Sequence, residues 1–186
     1  MKHTIWFATS NEGKFREASD ILKAYEITLK RLTAKGAEVQ SNDVSEIVTR
    51  AADETFALAN KPLIAEDTGL FIDELGGFPG VYAAFVTKTI GSSGVLKLLE
   101  GRKSKAHFVT AVAYKDRTST RVFTGVLDGT IITSARGDNG FGFDPIFMPA
   151  GYRETLAQMT SGEKNAISHR SRALNFFGRW YKTSKK

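Results

Sequence analysis

Apolar positions recur with two different periods along the chain. Residues 4–8 read as a buried first strand, and in residues 13–24 Phe15, Ala18, Ile21 and Leu22 recur at helical spacing. Residues 27–32 alternate as a second strand. Asn42 or Asp43 then caps a helix whose Val44, Ile47, Val48, Ala51, Ala52 and Thr55 share one stripe. Asp43 and Glu46 have capping-box spacing, although that motif prefers Ser or Thr at the cap. Leu63-Ile64-Ala65 predicts a strand that stops at Glu66-Asp67-Thr68-Gly69, and residues 70–75 a further one. Residues 91–99 predict a short helix, residues 106–114 and 120–127 a hairpin around the polar turn at 115–119, and residues 129–133 more β structure. Thr160-Ser161-Gly162-Glu163 is a capping box; it opens a helix predicted to run through Trp180 with Ala166, Ala173, Leu174, Phe177 and Tyr181 facing a core.

Strands that alternate with helices early and pair as a hairpin later predict an α/β fold with a mixed central sheet and flanking helices. No repeat, low-complexity tract or linker divides the chain, so residues 1–186 are expected to form one domain of two lobes around a cleft. A chain of this length buries roughly 70% of its unfolded surface. Its 41% hydrophobic and 25% charged residues are those of an ordinary globular protein. The longest apolar run, residues 81–86, is too short to span a bilayer, and no signal-peptide core opens the chain, so no membrane partner is expected. Cysteine is absent, which excludes disulfides, thiol nucleophiles and cysteine-ligated clusters and is compatible with a reducing cytoplasm.

Charge changes the picture more. The formal net charge of +6 divides unevenly: residues 1–75 carry 9 basic and 13 acidic groups, residues 76–186 carry 17 and 7. Such a split suits an anionic ligand that meets carboxylates and a metal on one side and cations on the other. The basic residues form no stripe, so nucleic acid is not the expected partner.

Four segments carry candidate chemistry. Thr9, Ser10, Asn11, Glu12, Gly13 and Lys14 lie between a strand and a helix, where unpaired N–H groups and the helix dipole favour phosphate and Lys14 adds a full charge. Glycine spacing and the Phe after Lys14 exclude a Walker A loop. Glu66 and Asp67, supported by Glu38, are oxygen donors suited to Mg²⁺ and to orienting a water. In Phe141, Gly142, Phe143 and Asp144, an aromatic ring can stack on a base and the carboxylate can accept from a base edge. Lys164 can meet phosphate, and His169 and Arg170 can donate to a purine carbonyl. Each segment also has a structural explanation: a helix cap, a turn acid, core phenylalanines and helix-surface charge. His3 and His107 sit at strand positions without an evident partner, and no metal-binding histidine spacing occurs.

The order of these segments, together with Gly76-Gly77-Phe78-Pro79-Gly80-Val81-Tyr82 and Ser168-His169-Arg170, resembles the inosine triphosphate pyrophosphatase family over nearly the whole chain. The resemblance implies a two-lobed fold around a nucleotide-binding cleft. It implies a Mg²⁺-dependent, dimeric, cytoplasmic enzyme that splits ITP, dITP and XTP into monophosphate and pyrophosphate and so cleanses precursor pools. Carried over by position, Thr9 to Lys14 contact the phosphates, Asp67 is proton acceptor and metal ligand, Glu38 is the second metal ligand and Thr68 touches substrate. Phe141, Gly142, Phe143, Asp144, Lys164, His169 and Arg170 complete the nucleotide pocket. Many relatives carry an Arg shortly after the Tyr of the Gly-Val-Tyr stretch, and Tyr82-Ala83-Ala84-Phe85 lacks it.

Overall fold

In the computed structural model, which describes residues 3–33 and 41–184, the first apolar run forms β1 (His3–Ala8). Asn11 then caps α1 (Glu12–Leu22), whose Ala18 and Leu22 are buried while Phe15 and Ile21 pack at the edge of the same core. β2 (Ile27–Leu32) matches its predicted span and pairs in parallel with β1, Ile5 opposite Leu29. In α2 (Val44–Ala59) Asp43 is the cap, accepting from the Ser45 N–H. Glu46 accepts from Ser41 and pairs with Arg50, so its carboxylate is engaged away from the cap.

The largest departure from expectation is β3 (Leu63–Ile72), which runs unbroken through Glu66 and Asp67 where the sequence pattern predicts a stop. Leu63, Ile64 and Ala65 pair in parallel with Trp6, Phe7 and Ala8 of β1, and Leu70 and Phe71 pair antiparallel with β4 (Pro79–Gly80). The two acids therefore lie where the strand changes partners, just past the carboxyl end of β1. Residues 73–75, expected as strand, form a 3₁₀ turn closed by Gly76.

Two short helices follow, α3 (Ala83–Thr89), which the sequence reading missed, and α4 (Gly91–Leu98). The hairpin is longer than predicted: β5 (Ser104–Lys115) and β6 (Thr120–Ile131), with the side chain of Asp116 accepting from Thr118 and Ser119 across the turn. β7 (Phe147–Pro149) pairs antiparallel with the end of β6. The hydrogen-bonded order β2-β1-β3-β5-β6-β7, with β4 on β3, is the mixed sheet expected from alternating elements followed by a hairpin.

The long terminal helix is two helices, α5 (Ser161–Ile167) and α6 (His169–Ser184), separated at Ser168 by an extended ψ of 153°. The break leaves Ala166 exposed, off the predicted stripe, while Ala173, Leu174, Phe177 and Tyr181 are buried as expected. The start of α6 lies against β6 at Gly125, where an added Cβ would come within 2.1 Å of the His169 carbonyl oxygen. Gly125→Ala is expected to cost at least about 1–3 kcal/mol, because backbone on both sides has to move. A denaturant melt of the variant checks this.

The chain divides into two compact units. The first takes the residues up to Asp67, Thr110–Gly125 and the stretch from His169; the second takes Thr68–Val109 and Val126–Ser168. The first has its own core around Ile5, Phe7, Leu22, Ile64, Leu174 and Phe177, the second around Leu70, Val95, Phe108, Ile146, Phe147 and Leu156. His3 packs edge-on against Tyr181 in the first, and His107 stacks on Phe71 in the second, so both histidines have structural ring contacts.

The capping box of α5 is complete: the Thr160 hydroxyl accepts from the Glu163 N–H, and Glu163 accepts from the Thr160 N–H and hydroxyl. Those donations hold the Glu163 carboxyl below its ordinary pKa. A depressed folded-state pKa contributes stability above the unfolded value, which is lost as pH falls through the folded one. Thr160→Ala is therefore expected to lower Tm near neutral pH and to lower it less once both forms bind the proton in acid. Thermal melts of both proteins from pH 7 to pH 3 check this.

Candidate active site

The loop between β1 and α1 is built by local capping. Thr9 Oγ1 accepts from the Asn11 N–H at 3.1 Å, and Asn11 Oδ1 accepts from the Lys14 N–H at 2.9 Å. Asn11 is thus a helix cap, and its role leaves the first-turn N–H groups of Glu12 and Gly13 without intrahelical acceptors, as at any helix start. The Glu12 carboxylate pairs with Arg31 at the end of β2.

Lys14 does not extend into solvent. Its Nζ lies 2.8 Å from Glu66 Oε2 and 3.9 Å from Asp67 Oδ1, with the lysine side chain only 16% exposed. The Glu66 side chain is fully buried, whereas the Asp67 side chain keeps 28% of its surface. The two acids are therefore unequal: Glu66 is flanked by cations, and Asp67, which the resemblance names as proton acceptor, is the carboxylate with access to a ligand. The second cation beside Glu66 is Arg170, the largest fully buried side chain, whose guanidinium reaches Glu66 Oε1 at 3.2 Å and Glu17 Oε2 at 2.7 Å.

In the second unit, Gly140 and Gly142 have φ of +76° and +67°, and the turn they allow folds Asp144 back on its own loop. Asp144 Oδ2 accepts from the Phe141 N–H at 2.8 Å and from Lys164 Nζ at 2.6 Å, both side chains of the ion pair being 5% exposed. An added Cβ at Gly140 would fall 2.1 Å from that same oxygen, so glycine is needed there for space as well as for conformation. Lys164 also sits over the ring of Phe141, 4.7 Å from its centroid. Phe143 is 3% exposed within the second unit's core, so core packing accounts for this ring and Phe141 is the half-buried one of the two.

The first unit thus carries a helix start with a lysine beside two strand acids, and the second a Phe-Gly-Phe-Asp loop locked to a buried lysine. The Ham1 family profile matches residues 5–180. The chain belongs to the Ham1 family. It is 45% identical to a dITP/XTP pyrophosphatase of Thermococcus kodakarensis over 97% of this chain and 98% of that one. It is 44% identical to another of that name from Methanopyrus kandleri, over 97% of each chain. Among solved structures, a HAM1 protein from Coxiella burnetii superposes with a TM-score of 0.85 at 29% identity, over 98% of this chain and all of that one. The Staphylococcus aureus Ham1 protein gives 0.83 at 27% identity.

Within this Ham1 chain, the structure brings Lys14, Glu66, Asp67 and Arg170 together in the first unit, and Phe141, Gly142, Asp144 and Lys164 together in the second. His169 is buried at the first position of α6, and Thr68 follows Asp67 on β3. Ser10 and Gly13 complete the loop and first turn beside Asn11. Glu38 lies outside the described residues. Glu17, absent from the sequence reading, is one turn beyond Lys14 on the same face of α1; that i, i+3 spacing was the available signal.

Among the described residues no three His, Asp or Glu side chains gather as a metal centre. The donor chemistry of Asp67 nevertheless suits a hard cation, since Mg²⁺ is commonly held by one or two carboxylates and otherwise by water and substrate phosphate. No described helix is long and apolar enough to cross a membrane.

Proposed function

We propose that this chain hydrolyses the non-standard purine nucleoside triphosphates dITP, ITP and XTP to the monophosphate and pyrophosphate, removing them from the nucleotide pool. The near full-length likeness to dITP/XTP pyrophosphatases supports the substrate class. The single structural observation that carries the chemistry is Lys14 Nζ beside Glu66 and Asp67 at the start of α1, which sets a phosphate-seeking cation next to a partly accessible carboxylate.

In this reading Thr9, Ser10, Asn11, Glu12, Gly13 and Lys14 bind the triphosphate, the first-turn N–H groups and the lysine together replacing its counterions. Asp67 orients a water and accepts its proton as the water oxygen bonds to the α-phosphorus, while the bond to the bridging oxygen breaks and pyrophosphate leaves. Thr68 touches substrate. Asp67 and Glu38 would hold Mg²⁺, which would supply charge neutralisation on the phosphates and a more acidic water. Phe141, Gly142, Asp144, Lys164, His169 and Arg170 are assigned to the nucleotide, while Phe143 anchors its loop from the core. Their donors favour a base carbonyl at position six, and an amino group there would leave them unpaired, which is the kind of mismatch that discriminates strongly.

Cytoplasmic location and a homodimer belong to the same proposal. Tyr82, Phe85 and Ile90, exposed by 49%, 66% and 43%, provide an apolar surface of the kind a subunit contact covers. A panel of dITP, ITP, XTP, GTP and ATP with Mg²⁺, read by pyrophosphate release, tests the reading. The expected kcat/KM for dITP and XTP exceeds that for ATP by at least about 10²-fold. Equal turnover of ATP, or none of any substrate, contradicts it.

A further inference from the structure

Glu66 has the most unusual setting of any carboxylate described. Its side chain is fully buried, and its two oxygens face different cations: Lys14 at 2.8 Å and Arg170 at 3.2 Å. Arg170 is held from its other nitrogen by Glu17 at 2.7 Å. Lys14 and Glu17 are both on α1, Glu66 is on β3 and Arg170 opens α6, so a chain of charges of alternating sign links three elements and has both its ends on α1. A buried carboxylate is tolerated only with such partners, and in a chain of this kind each charge fixes the placement of its neighbours.

We propose that Glu66 is a positioning residue that couples Lys14 to Arg170, so that engagement of phosphate by Lys14 is felt in how Arg170 is aimed at the base. This rests on the reading above, in which Lys14 contacts phosphate and Arg170 the nucleotide. When phosphate draws Lys14 away, Glu66 loses one cation and turns its full charge on Arg170. A guanidinium is a rigid planar fork, so holding it from two sides fixes the plane and direction of the whole group. Gln at position 66 keeps the shape and removes the charge. Its amide presents an oxygen to only one of the two cations, and its NH₂ faces the other.

The test compares Glu66→Gln with the parent enzyme using ITP and ATP as substrates and tripolyphosphate, which has no base, as an inhibitor. The variant is expected to raise KM for ITP by about tenfold, to change kcat by less than about threefold, and to lower the ITP-to-ATP preference by about tenfold. A role in stability alone would reduce the active fraction and leave KM and preference unchanged. Parental KM and preference in the folded variant overturn the proposal, as does a loss confined to kcat, which would put Glu66 among the reacting groups. Should Glu66→Gln not fold, Glu17→Gln loosens only the far side of Arg170. It is expected to lower the ITP-to-ATP preference while tripolyphosphate inhibition stays within about twofold of the parent; unchanged preference overturns the proposal. A parent enzyme that does not favour ITP over ATP overturns the functional reading and this inference with it, whereas intact parental preference with unaffected variants overturns the inference alone.

Discussion

Asp67→Asn is expected to lower kcat on dITP by about 10²–10⁴-fold while changing KM little, because Asn keeps the size and polarity of the side chain but cannot take a proton from water. Stability should be almost unaffected. The Asp67 side chain is partly exposed, Asn keeps its size and polarity, and the ion pair with Lys14 is a long one at 3.9 Å that contributes little. Glu66, not Asp67, is the closer anchor of Lys14, so the phosphate loop should keep its arrangement in the variant. Steady-state kinetics at saturating Mg²⁺ with a thermal melt as control separate the two effects. Near-parental turnover would remove Asp67 from the reaction.

The second large effect is on stability. Asp144→Ala is expected to cost about 3–5 kcal/mol, because Lys164 loses the carboxylate 2.6 Å from its ammonium group in a setting where both side chains are 5% exposed. For a chain of this size that corresponds to a fall in Tm of roughly 6–20 °C. The variant also loses the acceptor for the Phe141 N–H, so the turn at 140–144 should loosen and weaken substrate binding as well. Because most of the penalty comes from the charge left behind, the double variant Asp144→Ala with Lys164→Met should recover part of the loss. Additive losses in the double variant would show that the ion pair is not the source.

The early elements were legible because local pattern and tertiary role agree in them. Residues 27–32 alternate and are β2; the Phe15, Ala18, Ile21 and Leu22 spacing is the inner face of α1. Where the sequence misled, long-range pairing had overridden local signals. Glu66-Asp67-Thr68-Gly69 looks like a strand end, yet pairing with β1 on one side and with β4 on the other carries β3 straight through it. α5 starts at its predicted capping box, but the chain breaks at Ser168, next to the residue whose carbonyl packs on Gly125 of β6, a contact that no helical period reveals.

The site shows the same division. Types and order of the polar residues were readable, as was the acid cluster, but the unequal fates of its two members were not. Burial of Glu66 requires Arg170 from more than one hundred positions away, and sequence spacing does not encode that contact. Phe143 and Phe141 are equivalent in sequence and differ in the structure, one in a core and the other under a lysine.

In the proposed reaction water attacks the α-phosphorus of a non-standard purine triphosphate. Hydrolysis of dITP in H₂¹⁸O followed by mass spectrometry of the products tests it most directly. The expected products are dIMP carrying the ¹⁸O and unlabelled pyrophosphate. Label in pyrophosphate, or release of orthophosphate with dIDP, would contradict it.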